Sequence, residues 1–208
     1  MRRVSRLLLT ATVAFVTATT LAACAPANDV PDETTGSAPH VQETPVTEAA
    51  DVFLERHGLA GLDATAVIDT LEAMPVAERP TNLMASVRPD ELVLMDDENN
   101  QTTLSLPDDM FYVSIAPYAA QTHDCFFHSL TTCLGELANE DLEITIVGDD
   151  GAEIAAGTYT TNDNGFVGLW LPRDISGTIT IVAGEQTVTA PIATGADDPT
   201  CVTTLQIV

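Results

Sequence analysis

The chain contains no lysine, only four cysteines and four histidines, and no Cys-x-x-Cys pair in 208 residues. Each shortage closes off a class of function. Nucleic acids and anionic lipid headgroups are held by Lys and Arg, yet seven basic residues here face 31 acidic ones, for a formal charge of −24. Nucleic-acid binding is therefore excluded. The acidity concentrates cations only as a diffuse field, and its plain consequence is solubility. Lack of Cys-x-x-Cys argues against a thioredoxin-like oxidoreductase. The apolar run Leu7 to Leu21 is too short to span a bilayer. Acidic turns end in Gly151 and Gly165, but an EF-hand register built on either glycine puts the first ligand on Ile146 or Thr160. Neither is a carboxylate, so calcium is rejected.

The N-terminus reads as an export signal. Met1-Arg2-Arg3-Val4-Ser5-Arg6 is a basic lead, the apolar run follows, and Leu21-Ala22-Ala23-Cys24 resembles a bacterial lipobox. Residues 1–23 are expected to be a lipoprotein signal peptide, with Cys24 the lipidated residue and the membrane reached through that anchor. Two or more acyl chains anchor stably where one does not. Cleavage removes three arginines and no acid, which leaves four basic against 31 acidic residues, formally −27. Residues 24–46, rich in Pro, Thr, Ala and Glu without apolar periodicity, are expected to be a disordered spacer. His40 lies within it and is read as solvated.

Residues 47–90 carry a helical pattern. Val52, Phe53 and Leu59 share one side of a first helix capped by His57-Gly58. Asp63 is the expected N-cap of a second, with Val67, Leu71 and Met74 as its apolar stripe and Pro75 as its stop. A shorter third helix is expected around Asn82 to Val87. From Glu91 the period becomes two and turn signals recur about every ten residues. Strands are expected at 92–95, 102–106, 111–117, 142–147, 152–160, 166–171, 178–182, 187–190 and 201–208. The fold class is thus α+β: a small N-terminal helical region, then an antiparallel β-sandwich-like domain over 91–208.

Chemistry concentrates in His123-Asp124-Cys125-Phe126-Phe127-His128-Ser129-Leu130-Thr131-Thr132-Cys133. Two of four cysteines and two of four histidines fall in eleven residues, and Cys201 follows near the C-terminus. Thiolate and imidazole are the donors that copper(I) and zinc prefer. In an extended segment His123 and Cys125 point to one side; His128 and Cys133 join them if the chain turns after Phe127. With Cys24 lipidated, three cysteines remain, an odd number for an oxidising compartment, which weighs toward metal or redox chemistry. Cys125 and Cys133 are expected to form a disulfide in the metal-free protein, leaving Cys201 as the free thiol. Met74, Met84, Met95 and Met110 are scattered, unlike a thioether copper site, and read as gap-filling residues. Ser129-Leu130-Thr131-Thr132-Cys133 resembles the sortase nucleophile signature, but the next arginine along the chain is Arg173 and the histidines lie just upstream, so both partners of that nucleophile are misplaced.

A closer resemblance rests on Tyr112-Val113-Ser114-Ile115-Ala116-Pro117-Tyr118, Gln121 to Cys125, His128 to Cys133 with Gly135-Glu136-Leu137, and Pro199-Thr200-Cys201. These resemble the CueP family of periplasmic copper-binding proteins. The resemblance implies a helical N-terminal part, a β-rich C-terminal part and copper bound through Cys125, Cys133, Cys201, His123 and His128. The expected protein sequesters Cu(I), with delivery to an extracytoplasmic acceptor such as superoxide dismutase, and uses a thiol reductant as partner. A Cys3His zinc site and a thiol-based cupric reductase are the alternatives, both served by the same donors.

Overall fold

The computed structural model describes residues 46–208; the expected signal peptide, Cys24, the spacer before residue 46 and His40 lie outside them. The first helix, α1, spans Val46–Arg56 and buries Ala50, Phe53 and Leu54 at i, i+3 and i+4. Val52, expected on that face, is 51 % exposed instead. The cap is as the sequence predicts: Gly58 takes φ 72° and the Leu59 N–H reaches back to the Leu54 carbonyl at 2.8 Å. His57 stacks on Phe53 with ring centroids 4.7 Å apart, a structural position. The second helix, α2, spans Ala64–Glu72, and Asp63 caps it by accepting from the Ala66 N–H at 2.8 Å. Its buried stripe is Ala64, Val67, Ile68 and Leu71, and it ends on a buried acid, Glu72.

No third helix forms at 82–87. Leu83–Val87 is strand β1, with Leu83, Ala85 and Val87 inward, and it pairs antiparallel with β2 (Glu91–Asp96). The Arg88-Pro89 stop signal ends a strand as well as a helix, and the alternation of Leu83, Ala85 and Val87 decides for the strand. The sheet continues through β3 (Gln101–Ser105) and, on the other edge, β5 (His128–Ser129), in the order β3-β2-β1-β5. The helices pack on this sheet: Phe53, Leu54, Val67, Ile68 and Leu71 join Val87, Leu92 and Leu94 in one core.

A second core lies in the remaining strands. β6 (Asp141–Gly148), β7 (Glu153–Thr160), β9 (Ser176–Ala183) and β10 (Gln186–Ala193) form an antiparallel sheet in the order β10-β9-β6-β7. β4 (Met110–Ile115) is central to a third sheet, antiparallel to β8 (Val167–Pro172) and parallel to β11 (Cys201–Val202). Ile144, Ile146, Ile179 and Ile181 meet Phe111, Val113 and Ile115 from β4 in this core. Each such side chain contributes about 1.5–3 kcal/mol when fully buried. The α+β class with an antiparallel, sandwich-like body therefore stands. No helix among the described residues is long and apolar enough to cross a membrane.

β4 links the two cores. Its odd residues face the second core, while Tyr112 and Ser114 turn the other way and reach Glu72. The strand is buried on both faces, so whatever lies along its Ser114 edge is held from both sides.

Candidate metal centre

Three short elements deliver the Cys and His side chains to that edge. β5 pairs with β1 so that His128 stands opposite Val87. β11 pairs with β4 so that Cys201 stands opposite Ser114. Between them the chain turns at 129–133: the Cys133 N–H donates to the Ser129 carbonyl at 3.0 Å, and the Ser129 N–H points at the Cys133 sulfur, 3.4 Å away. Thr200 ties these elements together, since its hydroxyl donates to the Val87 carbonyl at 2.6 Å and accepts from the His128 N–H at 3.0 Å. Thr203 donates its hydroxyl to the His123 carbonyl at 2.6 Å, which docks the His123 loop beside the same strand.

All five expected residues come together, in two overlapping groups. A His123 ring nitrogen and the sulfurs of Cys125 and Cys133 lie within 4.8 Å of one another; so do a His128 ring nitrogen and the sulfurs of Cys133 and Cys201. Each group has the donor count and compactness to hold a metal ion. The first opens to solvent through exposed His123, whereas His128 and Cys201 are buried. Phe166, Ala116 and the three cysteines form a small apolar cluster of their own. The Phe166 ring stands 4.7 Å from His128 and 6.3 Å from His123, centroid to centroid.

The expected pairing of the cysteines is corrected. The disulfide joins Cys125 to Cys201, with Cα atoms 5.7 Å apart, and Cys133 is the free, half-buried thiol. The eight-residue spacing that suggested Cys125–Cys133 is overridden by sheet pairing, which sets Cys201 beside the Cys125 loop: the Cys201 N–H donates to the Phe126 carbonyl at 3.1 Å. Cys133 remains close, its sulfur 3.6 Å from that of Cys125.

Glu72, which no sequence motif singles out, is the polar centre of the site. His128 Nε2 donates to its carboxylate at 2.7 Å, Asn164 Nδ2 at 2.8 Å, the Tyr112 hydroxyl at 3.0 Å and the Ser114 hydroxyl at 3.4 Å. Burial raises the Glu72 pKa, but the hydrogen bond and charge of His128, with Asn164 and Tyr112, outweigh it and hold the carboxyl below its usual range. Burial likewise lowers the His128 pKa, and the adjacent Cys133 and Glu72 more than reverse this, pushing it up to about 9. Cys133 is pushed up by burial and pulled down further by His128 and the Ser129 N–H, so its thiol sits below the ordinary cysteine range. The metal-free centre thus sets a Cys133 thiol biased toward thiolate beside the His128 imidazolium and the Glu72 carboxylate. His128 Nδ1 is buried without a hydrogen-bond partner.

Two further groups support the site, Arg79 without a sequence signal and Glu136 marked only as part of the Gly135-Glu136-Leu137 stretch of the family resemblance. Arg79, buried after the 3₁₀ turn Val76–Glu78, donates Nη1 to the Cys133 carbonyl at 3.0 Å. Glu136 accepts from the Ala119, Ala120 and Gln121 N–H groups at 2.7, 2.9 and 3.2 Å, which pins the loop leading to His123. The segment before Glu136 and the Asn164 turn cross at a glycine pair. The Gly135 N–H donates to the Asn164 carbonyl at 2.6 Å, and a Cβ on Gly135 would stand 2.6 Å from the Gly165 carbonyl oxygen. The one usable sequence signal for Glu72 is its place four residues after Ile68, on the apolar stripe of α2.

A protein-family model described as periplasmic copper-binding protein CueP matches residues 66–206. The crystal structure of S.CueP aligns with a TM-score of 0.72 at 38% sequence identity, over 76% of this chain and 97% of that one. No curated protein sequence matches the chain.

Proposed function

Since the chain belongs to the CueP family of periplasmic copper-binding proteins, we propose that it is an extracytoplasmic, lipid-anchored protein that sequesters Cu(I) through Cys125, Cys133 and Cys201 with support from His123 and His128. One observation carries the reading: thiol sulfurs and imidazole nitrogens converge within 4.8 Å in two groups that share Cys133. Copper is cargo here. Thiolate-rich sets select Cu(I) among the available ions, and a metal–sulfur bond of about 2.3 Å asks trigonal sulfurs to stand about 4 Å apart. The 3.6 Å between Cys125 and Cys133 is close to that.

The arrangement suits metal capture better than internal disulfide shuffling. In-line attack by Cys133 on Cys125 would put the attacking sulfur about 5.6 Å from Cys201, the bond itself being about 2 Å. The Cys133 and Cys201 sulfurs lie within 4.8 Å instead, so the three form a triangle. Loading then begins with reduction of the Cys125–Cys201 bridge by an external thiol reductant. Cys125 and Cys201 each give up a proton on coordination, while Cys133 is already displaced toward thiolate. Delivery to an extracytoplasmic acceptor such as a superoxide dismutase completes the reading.

The bridge also supports a second reading, thiol-based cupric reduction. Two thiolates joining as Cys125–Cys201 release two electrons, enough to reduce two Cu(II) to Cu(I), and the observed disulfide is the product that chemistry leaves. Competition against a calibrated Cu(I) chelator tests the main proposal. The reduced protein should bind one Cu(I) per chain far more tightly than a Cys125→Ser, Cys133→Ser double variant. Equal affinities would discard the thiolate site, and zinc retained where copper does not enter would establish the Cys3His zinc alternative.

A further inference from the structure

Resting on the copper reading above, we propose that the centre contains two overlapping metal positions with Cys133 as their common ligand. The outer position, His123–Cys125–Cys133, exchanges copper with partners; the inner one, His128–Cys133–Cys201, holds it.

The two positions differ in the properties that separate exchange from retention. His123 is exposed on a loop beside a shallow cavity of about 210 Å³ lined by Thr122 and Leu134. A small chelating partner can reach a metal there without moving the protein. The inner position has no such access: Cys201 is 1 % and His128 0 % exposed. His128 is also oriented before any metal arrives. Its Nε2 is committed to the buried Glu72 carboxylate at 2.7 Å, and its Nδ1 is buried without a partner. A carboxylate on one imidazole nitrogen fixes the ring and tautomer for a metal on the other. Glu72 is itself fixed by Asn164 and Tyr112, so the ring has no low-cost alternative. With Nε2 committed to Glu72, Nδ1, which faces the Cys133 sulfur and has no oxygen or nitrogen partner, is the atom left to a metal once its proton has gone.

Sharing Cys133 lets copper pass between positions without leaving the protein. The copper passes through the three-sulfur set midway: Cys201 and His128 Nδ1 give up their protons and take hold, Cys125 takes one proton back as it and His123 let go, the other proton leaves to solvent, and the Cys133 bond persists throughout. The disulfide takes one sulfur from each position, Cys125 from the outer and Cys201 from the inner, so oxidation closes both together.

The test uses the reduced full chain loaded with Cu(I), a chelator followed by stopped flow, and X-ray absorption of the loaded protein. His123→Ala should slow both loading and chelator extraction about tenfold. Because the same stepping stone serves both directions, their ratio should change less than threefold. His128→Ala should weaken affinity ten- to a hundredfold and remove one nitrogen scatterer that His123→Ala retains. His128→Ala strands a buried carboxylate, so Glu72→Gln is measured beside it; the neutral amide should weaken affinity about tenfold or more while the chain stays folded. Equal affinity losses for the two histidine variants, loss of the same scatterer in both, unchanged exchange rates in His123→Ala, or wild-type affinity in Glu72→Gln would each overturn the two-position assignment. Failure of the reduced wild type to take up Cu(I) at all would overturn the copper reading and this one with it.

Discussion

Reduction of the Cys125–Cys201 bridge should destabilise the metal-free protein, and copper should restore what is lost. The bridge closes a loop of 76 residues. In the chain-entropy description the loss of denatured-state freedom is −2.1 − 1.5R ln n, which for this loop is about −15 cal/mol/K, or about 4.5 kcal/mol at 25 °C. Measured values run from about zero to 5 kcal/mol, because native strain and residual structure intervene. Against a typical domain stability of about 5–15 kcal/mol, that is a large share. For a domain of this size it corresponds to a fall in Tm of about 9–18 °C. Cu(I) bound by the freed sulfurs reconnects the segments that the bridge joined. Its contribution is RT ln(1 + [L]/Kd), about 4.1 kcal/mol when free copper is a thousand times Kd, close to the amount lost. Thermal unfolding of the oxidised, reduced, and reduced copper-loaded forms reads the three states. Cys133→Ser separates the two roles of the cluster: the bridge survives in it, while recovery with copper should fall short. An unchanged midpoint on reduction, or a lowered one that copper leaves low, would refute the reasoning.

Three other outcomes rest on the same geometry and sequence. Glu72, Asp96 and Glu136 all have depressed pKa values, from ordinary values of 4.5, 3.8 and 4.5. The stability they contribute is present above those values and lost as pH falls through the depressed ones, so the urea midpoint should drop below about pH 4.5, with a shallower acid limb in Glu72→Gln. His128, whose pKa is raised to about 9, is charged in both folded and unfolded chains there and does not flatten that slope. Phe166→Ala should cost about 3–5 kcal/mol of stability and weaken copper binding, because the ring packs 4.7 Å from His128; urea titration and chelator competition measure both. Cys24→Ala should leave the chain unlipidated and free of membrane fractions, as intact mass and fractionation will show, and an unmodified N-terminus in the native protein would remove the proposed anchor.

Legibility in the sequence tracks how local the deciding forces are. Asp63 and Gly58 cap helices through bonds that span three to five residues, and both are readable. The hairpin around Gly148-Asp149-Asp150-Gly151 is equally local, and its Gly148 N–H to Ala152 carbonyl bond of 2.8 Å closes where the turn residues lie. Leu83–Val87 misleads because its Pro89 stop signal suits either element, while its pairing with β2 and β5 is not local. The disulfide misleads for a related reason. Short separation favours closing the Cys125–Cys133 loop on entropy alone, but that preference grows only with the logarithm of loop length, and the parallel pairing of β11 with β4 outweighs it. Glu72 is invisible in a chain with 31 acidic residues: nothing but its place on an apolar stripe marks it as buried, and its partners come from positions 112, 114, 128 and 164.

The charge around the sulfurs explains why copper loading has to release protons. Without a metal, full deprotonation of the reduced centre would set three thiolates beside Glu72. Two cations lie close by, His128, hydrogen-bonded to Glu72, and Arg79, anchored on the Cys133 carbonyl. Four negative groups against two positive ones would leave a surplus that burial makes costly, which is why coordination, and not reduction alone, removes the Cys125 and Cys201 protons. Bridging Cys125 to Cys201 takes both ionisable thiols away and leaves Cys133 and Glu72 facing His128 and Arg79. A bound Cu(I) would supply the positive charge that lets the thiols deprotonate. Oxidation and metal binding are therefore alternative fates of the same two thiols, and a thiol reductant is what moves the protein from the first to the second.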